Sequence, residues 1–288
     1  MRLNEVVALY HKVLDAVYGE TEVKSFVRLL IEHYLDINHL HLVLNPNFEV
    51  NKHQKQQFLE ALEFLKQEKP IQYIIGETEF YGLTFKVNEH TLIPRPETEE
   101  LVDLIIKDTE ARSPKILDIG TGSGCIAVTL AKQIPNAKLQ AIDVSTEALD
   151  MAQKNAMLNA VTVDFIQKDI LLADHSKIEF KEPFDIIVSN PPYIRDLEKK
   201  EIRPNVLNYE PHQALFVNDN NPLQFYTAIC EFARYNLKNN GKLYFEINEY
   251  LGKDTVQLLE NYNFKAIELK KDLFGRDRII RAVKQYDQ

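Results

Sequence analysis

The chain has 288 residues, 45% of them hydrophobic and 27% charged, which suits one large domain or a small domain joined to a medium one and argues against a disordered or fibrous protein. A formal net charge of −9 counts against a general duplex-DNA binder, whose affinity draws on a basic footprint, and fits a basic protein partner at least as well. No apolar run approaches the ~20 residues that span a bilayer, Met1–Glu5 lacks the apolar core of a signal peptide, and the two cysteines, Cys125 and Cys230, lie far apart without metal-ligand spacing. The expectation is a cytoplasmic protein without a disulfide framework.

Residues 1 to about 73 carry the helical period. Val6, Val7, Tyr10, Val13, Leu14 and Val17 recur at that spacing, as do Val27, Leu30, Ile31 and Tyr34, then Phe58, Leu62 and Leu65. Asn45-Pro46-Asn47 predicts a turn within this region. His11, His33, His39, His41 and His53 cluster here but match no metal motif, so no metal is expected. From 74 to 95 the period shortens. Phe80, Tyr81, Leu83, Phe85 and Val87 predict a strand, Asn88-Glu89-His90 a turn and Thr91-Leu92-Ile93 a return strand, together a β-hairpin linking two domains. Pro94-Arg95-Pro96 then leads into a helix with Glu97, Glu99 and Glu100 in its first turn.

Beyond Lys115 strands and helices alternate. Segments 115–119, 139–143, 161–166, 184–189, 242–247, 264–269 and 278–283 are strand-like, and helical segments follow Gly124, Ser145, Pro222 and Gly252, with Ser145 as an N-cap. Such alternation predicts an α/β fold with a mostly parallel sheet and helices on both faces.

Two motifs carry chemistry. Ile116-Leu117-Asp118-Ile119-Gly120-Thr121-Gly122-Ser123-Gly124 sits between a predicted strand and a predicted helix, where glycines allow a tight turn and close approach of backbone N–H groups to a ligand. About 20 residues on, Asp143 ends the next strand, where a carboxylate can accept hydrogen bonds from ribose hydroxyls. A dinucleotide fingerprint would place glycine or alanine where Cys125 stands, so the G-x-G-x-G spacing, with the acid Asp118 two residues upstream, favours an adenosyl cofactor held by Asp118, Gly120 to Gly124 and Asp143. Asp169 and Ile170 follow the third strand, placed to meet an adenine amino group and its ring; a turn-forming aspartate is the plain alternative for Asp169.

The second motif is Asn190-Pro191-Pro192-Tyr193, directly after a buried-strand pattern. Its prolines remove two N–H donors and force Asn190 and Pro191 into extended backbone. The Pro191 carbonyl and the Asn190 side-chain carbonyl then form two acceptors suited to a planar NH2 group, and Tyr193 offers a ring face. An amide nitrogen is a poor nucleophile, so the work is orientation and stabilisation of positive charge developing on nitrogen.

With these motifs, Pro70-Ile71-Gln72-Tyr73-Ile74-Ile75-Gly76, Glu79-Phe80-Tyr81-Gly82, Leu92-Ile93-Pro94-Arg95-Pro96-Glu97-Thr98-Glu99 and Tyr209-Glu210-Pro211 with Ala214-Leu215, the chain resembles the PrmC/HemK family of protein-(glutamine-N5) methyltransferases over nearly its whole length. The resemblance implies S-adenosyl-L-methionine as cofactor and, as substrate, the Gly-Gly-Gln glutamine of class I peptide-chain release factors. It implies a class I (Rossmann-like) sheet of seven strands with the last antiparallel over 96–288, a helical substrate-recognition domain over 1–73 and a hairpin linker over 74–95. By position it assigns Gly120 to Gly124, Asp143, Ile170 and Asn190 to the cofactor and Asn190 to Tyr193 to the glutamine, with Arg95 at the linker either closing the site or serving structure. Some relatives carry an aromatic residue where this chain has Ile170, which leaves a hydrophobic contact there rather than stacking. Three rivals remain: a ribosomal-protein glutamine methyltransferase, an N6-adenine nucleic-acid methyltransferase, which would need to capture an unstacked base, and a non-enzymatic adaptor. A monomer that makes no direct contact with nucleic acid is expected.

Overall fold

A computed structural model describes residues 2–37, 45, 48–172, 180 and 182–285. His39, His41 and most of the Asn45-Pro46-Asn47 turn lie outside the described residues. Two compact units result, one of residues 1–76 with 203–209 and one of residues 77–202 with 210–288.

The first unit is helical. Helices α1 (Leu3–Tyr18), α2 (Glu20–Leu35), α3 (Lys52–Lys66) and α4 (Ile71–Ile75) bury Leu3, Val6, Tyr10 and Leu14 against Val23, Val27, Leu30, Ile31, Phe58, Leu62 and Leu65. The predicted periodic residues are thus buried or half-buried in this core, except Val17, which lies on the same stripe but is exposed in the last turn of α1. Asn51 caps α3, accepting a hydrogen bond from the Gln54 N–H while the Gln54 side chain accepts one from the Asn51 N–H. A short later segment joins this unit, with the Tyr209 hydroxyl donating to the Gln67 carbonyl (2.7 Å).

In the second unit, a hairpin of β1 (Glu77–Phe80) and β2 (Leu83–Lys86) turns at Tyr81-Gly82, where Gly82 takes φ +72°. This corrects the expected hairpin: Asn88–Thr91 does form a turn, closed by Thr91 N–H to the Asn88 carbonyl (3.0 Å), but residues 91–93 pair with no strand. The physical reason is the Tyr-Gly dipeptide, which supplies left-handed backbone seven residues earlier than the Asn-Glu-His signal. Nor is the hairpin a separate linker. Asn155 and Asn159 bond to the backbone of Lys86 and Thr84, fastening it to the body of this unit.

The main sheet has seven strands: β3 (Lys115–Ile119), β4 (Lys138–Asp143), β5 (Asp164–Gln167), β6 (Phe184–Ser189), β9 (Leu237–Glu246), β10 (Phe264–Lys271) and β11 (Asp277–Lys284), in spatial order β10-β11-β9-β6-β3-β4-β5. Neighbouring β5, β4, β3, β6 and β9 are parallel, and β11 runs antiparallel to both β9 and β10. A minor pair, β7 (Ile194–Arg195) and β8 (Phe216–Val217), stands apart from this sheet. The third predicted strand begins at 164 rather than 161.

Alternation along the strands divides the core. Leu117, Ile119, Ile187, Leu243 and Phe245 face α10 (Gln224–Asn236) and α11 (Gly252–Asn261). Ile116, Ile186, Val188 and Tyr244 face α5 (Pro96–Asp108), α6 (Cys125–Gln133) and α7 (Thr146–Leu158). Helices on both faces leave the carboxyl ends of the parallel strands as the open edge where α/β folds place ligands. A 3-10 turn (Asp196–Glu201) and α9 (His212–Leu215) complete this unit, and α8 (Pro204–Tyr209) belongs to the helical one.

Candidate active site

The carboxyl ends of β3, β4, β5 and β6 open on one cavity of about 510 Å3, within the ~300–1,000 Å3 typical of small-molecule sites. Its floor is the glycine loop. Gly120, Gly122 and Gly124 have φ of +74°, +54° and +80°. A Cβ on Gly120 or Gly122 would meet no atom within 4 Å, so both leave the cavity clear. Gly124 differs: a Cβ there would come within 2.9 Å of Ala152 Cβ, so this glycine serves the packing of α6 on α7. Accordingly Gly120, Thr121, Gly122 and Ser123 line the cavity and Gly124 does not.

Asp118 lies beneath the loop. It is fully buried, does not line the cavity, and accepts a hydrogen bond from the Thr121 hydroxyl at 2.7 Å. Burial pushes its carboxyl up to about 7. Asp118 therefore braces the loop, and the direct cofactor contact expected of it is not offered. Asp143 does reach the cavity, with one oxygen accepting from the Gly122 N–H (2.8 Å) and the other from the Ser145 N–H (3.0 Å). Burial raises its carboxyl pKa, opposed by these N–H donors. Ser145 caps α7 as predicted, accepting from the Ala148 N–H. Asp169 and Ile170 line the far wall; Asp169 also forms the plain turn, accepting from the Leu171 N–H at 2.8 Å.

Asn190, Pro191 and Pro192 line the cavity on the β6 side. The Asn190 amide donates from Nδ2 to Thr98 Oγ1 (3.2 Å), and the Thr98 hydroxyl donates to Glu246 Oε2 (2.6 Å). Tyr193 is placed otherwise than expected. It does not line the cavity; its hydroxyl donates to Glu246 Oε1 at 3.0 Å and its ring packs on the core. The carboxylate draws the phenol inward, because a buried charge needs donors, so the Tyr193 hydroxyl is committed to the core while its ring stays only partly buried.

Arg95 lines the cavity and forms an ion pair with Glu210, which is itself buried and also accepts from the Ile93 N–H (3.1 Å). Pro211, Gln213, Ala214 and Phe216, on the chain just beyond Glu210, form part of the same wall. Arg95 thus fastens that wall to the segment before α5, joining the two roles weighed for it.

Four residues escaped the sequence reading. Asn155 is completely buried in α7, donating from Nδ2 to the Ser123 carbonyl (2.8 Å) and the Lys86 carbonyl (2.9 Å), so it ties the glycine loop to the hairpin. A polar residue on the stripe Ala148-Met151-Ala152-Asn155-Ala156 was the available signal. Glu246 interrupts Leu243-Tyr244-Phe245, an equally visible anomaly. Thr98 and Glu210 stand inside the motifs that carry the family resemblance, with nothing in the sequence to give either a role.

Among the described residues, no group of three or more His, Cys, Asp or Glu side chains could hold a metal ion, and no helix is long and apolar enough to cross a membrane. Both cysteines are buried free thiols.

Comparisons with known proteins agree with this geometry. A family profile described as the PrmC N-terminal domain matches residues 6–76, and one described as a methyltransferase small domain matches residues 98–213. The chain is 56% identical to a release factor glutamine methyltransferase of Flavobacterium psychrophilum, covering 94% of this chain and 95% of that one. It is 43% identical to a protein of the same description from Bacteroides thetaiotaomicron, covering 97% and 99%. Among solved structures, the hMettl16 catalytic domain in complex with an RNA hairpin superposes with a TM-score of 0.56 at 17% identity, covering 82% of each chain, which speaks to the fold alone.

Proposed function

The chain belongs to the family of release factor glutamine methyltransferases, and we propose from that footing that its methyl acceptor is the side-chain amide nitrogen (N5) of the Gly-Gly-Gln glutamine in class I peptide-chain release factors. It is an S-adenosylmethionine-dependent enzyme with a protein substrate. The residues present fit that cofactor: two glycines with positive φ and nothing above them, and a half-buried carboxylate at the end of β4.

The observation that carries the reading is Asn190, whose carboxamide lines the same cavity as the glycine loop and Asp143. When bound, the cofactor supplies an electrophilic methyl on sulfonium sulfur. The protein's part is orientation. The Asn190 Oδ1 and the Pro191 carbonyl accept the two hydrogens of the glutamine NH2 group, which turns the nitrogen's π face toward the methyl. Those carbonyl dipoles also stabilise positive charge developing on nitrogen, as an oxyanion hole stabilises negative charge with the opposite sign. Positioning of this kind supplies up to ~7–11 kcal/mol in the best intramolecular reactions. Asp143 holds the ribose, and Ile170 and Asp169 flank the base. The helical unit grips the release factor; deleting residues 1–73 is expected to raise KM for the protein substrate while leaving cofactor affinity intact, and an unchanged KM would remove that role.

The direct test is methyl transfer from radiolabelled S-adenosylmethionine to a purified class I release factor. Parallel reactions hold a factor substituted at the Gly-Gly-Gln glutamine, ribosomal protein, and adenine-containing DNA and RNA. Label confined to the intact factor is the expected result. Label in ribosomal protein or nucleic acid alone overturns the substrate.

A further inference from the structure

A carboxamide is nearly symmetric in shape and opposite in polarity at its two ends. If Asn190 turned its NH2 toward the cavity, it would present donors to a substrate NH2 and repel it. Something must therefore fix which end faces inward, and we propose that Thr98 and Glu246 are the positioning residues that do so. The inference rests on the acceptor role of Asn190 given above.

The argument is one of counting hydrogens. Glu246 ends β9, and its neighbour Phe245 pairs with Ser189 at the end of β6, so the ladder delivers Glu246 and Asn190 to the same level. Thr98 arrives from a third segment, the first turn of α5, where Pro96 opens the helix and the threonine faces inward. Thr98 is 2% exposed and Glu246 1%, so water does not substitute for either. A carboxylate only accepts, and Glu246 accepts from two hydroxyls, Thr98 at 2.6 Å and Tyr193 at 3.0 Å. A threonine hydroxyl has one hydrogen. Because that hydrogen is committed to Glu246, the Thr98 oxygen facing Asn190 can only accept, and the group it meets must be the Asn190 NH2, 3.2 Å away. The amide oxygen of Asn190 is thereby turned to the opposite side, as an acceptor for substrate.

The frame around the carboxylate is firm. The Tyr226 hydroxyl donates to the Glu246 backbone carbonyl (3.1 Å), and Arg278, whose charge opposes the rise that burial causes in the Glu246 pKa, donates to the next carbonyl, that of Ile247 (3.3 Å). Polarity therefore runs one way, from Asn190 through Thr98 to Glu246. Neutralising Glu246 as glutamine would break it, since a glutamine NH2 can donate to Thr98 and release the threonine hydrogen toward Asn190.

The test is a kinetic set on the full-length enzyme with a release factor as substrate: wild type, T98V, T98S, E246Q, the T98V/E246Q double variant and N190A. T98V and E246Q are each expected to lower kcat by about 10- to 100-fold, with KM for the factor and Kd for S-adenosylmethionine within about threefold of wild type. T98S keeps the hydroxyl and restores most of kcat. The double variant is expected to be no slower than the worse single variant, because a relay broken once has no more polarity to lose. The inference is overturned if T98V or E246Q keeps wild-type kcat, if cofactor affinity falls in step with kcat, or if the two losses multiply. N190A separates the two levels: full activity in that variant removes the acceptor reading itself, whereas an inactive N190A beside active T98V and E246Q removes only the relay.

Discussion

The two ends of the cavity proposed as the active site, the proposed cofactor end and the proposed acceptor end, are built by different means. The cofactor end is made of backbone, with Gly120 to Ser123 in consecutive positions and Asp143 at the end of the adjoining strand. The acceptor end is made of side chains from three segments, with Asn190 bonded to Thr98 across 92 residues of sequence and Thr98 to Glu246 across 148. A backbone cradle depends on local dihedral angles, so its parts sit together in sequence. A side-chain relay depends on which strands become neighbours, so its parts are scattered. Damage to the first should appear in cofactor affinity, and damage to the second in turnover.

The sharpest way to break that division is Asn190→Ala. Turnover is expected to fall by ~10²- to 10³-fold, the scale of losing one preorganised transition-state contact, with cofactor affinity little changed in equilibrium titration. An equal loss of both would place Asn190 on the cofactor side. The glycines test the division within the loop itself. G124A forces a Cβ into Ala152 and a left-handed φ onto alanine, and should destabilise the fold by about 2–4 kcal/mol in urea denaturation. G120A meets open space and should cost about 1 kcal/mol in stability, its main effect being weaker cofactor binding. If the two alanine variants lost stability equally, Gly124 would have no special packing role.

Asp143→Ala should weaken cofactor binding by about 10- to 150-fold, as expected for losing a charge-assisted hydrogen bond of ~1.5–3 kcal/mol, while kcat at saturating cofactor stays near wild type. An unchanged dissociation constant would remove the ribose assignment. The smallest effect on cofactor binding and turnover is expected from Asp118→Asn, whose readout is stability. The folded protein raises the Asp118 pKa from 3.8 to about 7, so it binds that proton more tightly than the unfolded chain. Its contribution to stability is complete below pH 3.8 and is lost as pH rises to about 7. The asparagine variant, which cannot ionise, should therefore be more stable than wild type at pH 8 in urea denaturation and show no such gain near pH 4. A gain independent of pH would mean that ionisation of Asp118 is not what costs stability.

Much of the fold was visible in the sequence for the same reason that the cofactor end was. Helical and strand periods are local, and they located the core of α1 to α3 and all seven strands of the sheet within a few residues. The hairpin was misread where two local turn signals competed and the Tyr81-Gly82 backbone won. Tyr193 was misplaced for a different reason. Its residue type permits either a ring face toward a ligand or a hydroxyl toward a buried acid, and only the arrival of Glu246 at the end of β9 decides between them.

By itself, then, the sequence determined most of the elements, the glycine turn and the place of Asn190-Pro191-Pro192-Tyr193 at the end of a buried strand, because each rests on the conformation of a few consecutive residues. Only the tertiary structure decided that Asp118 braces the loop from below, that Arg95 is spent on Glu210, and that Thr98, one polar residue in an acidic helix turn, holds the amide of Asn190. Those choices follow from burial and from which strand edges adjoin, and a hydrogen bond between residues a hundred positions apart leaves no period in the chain.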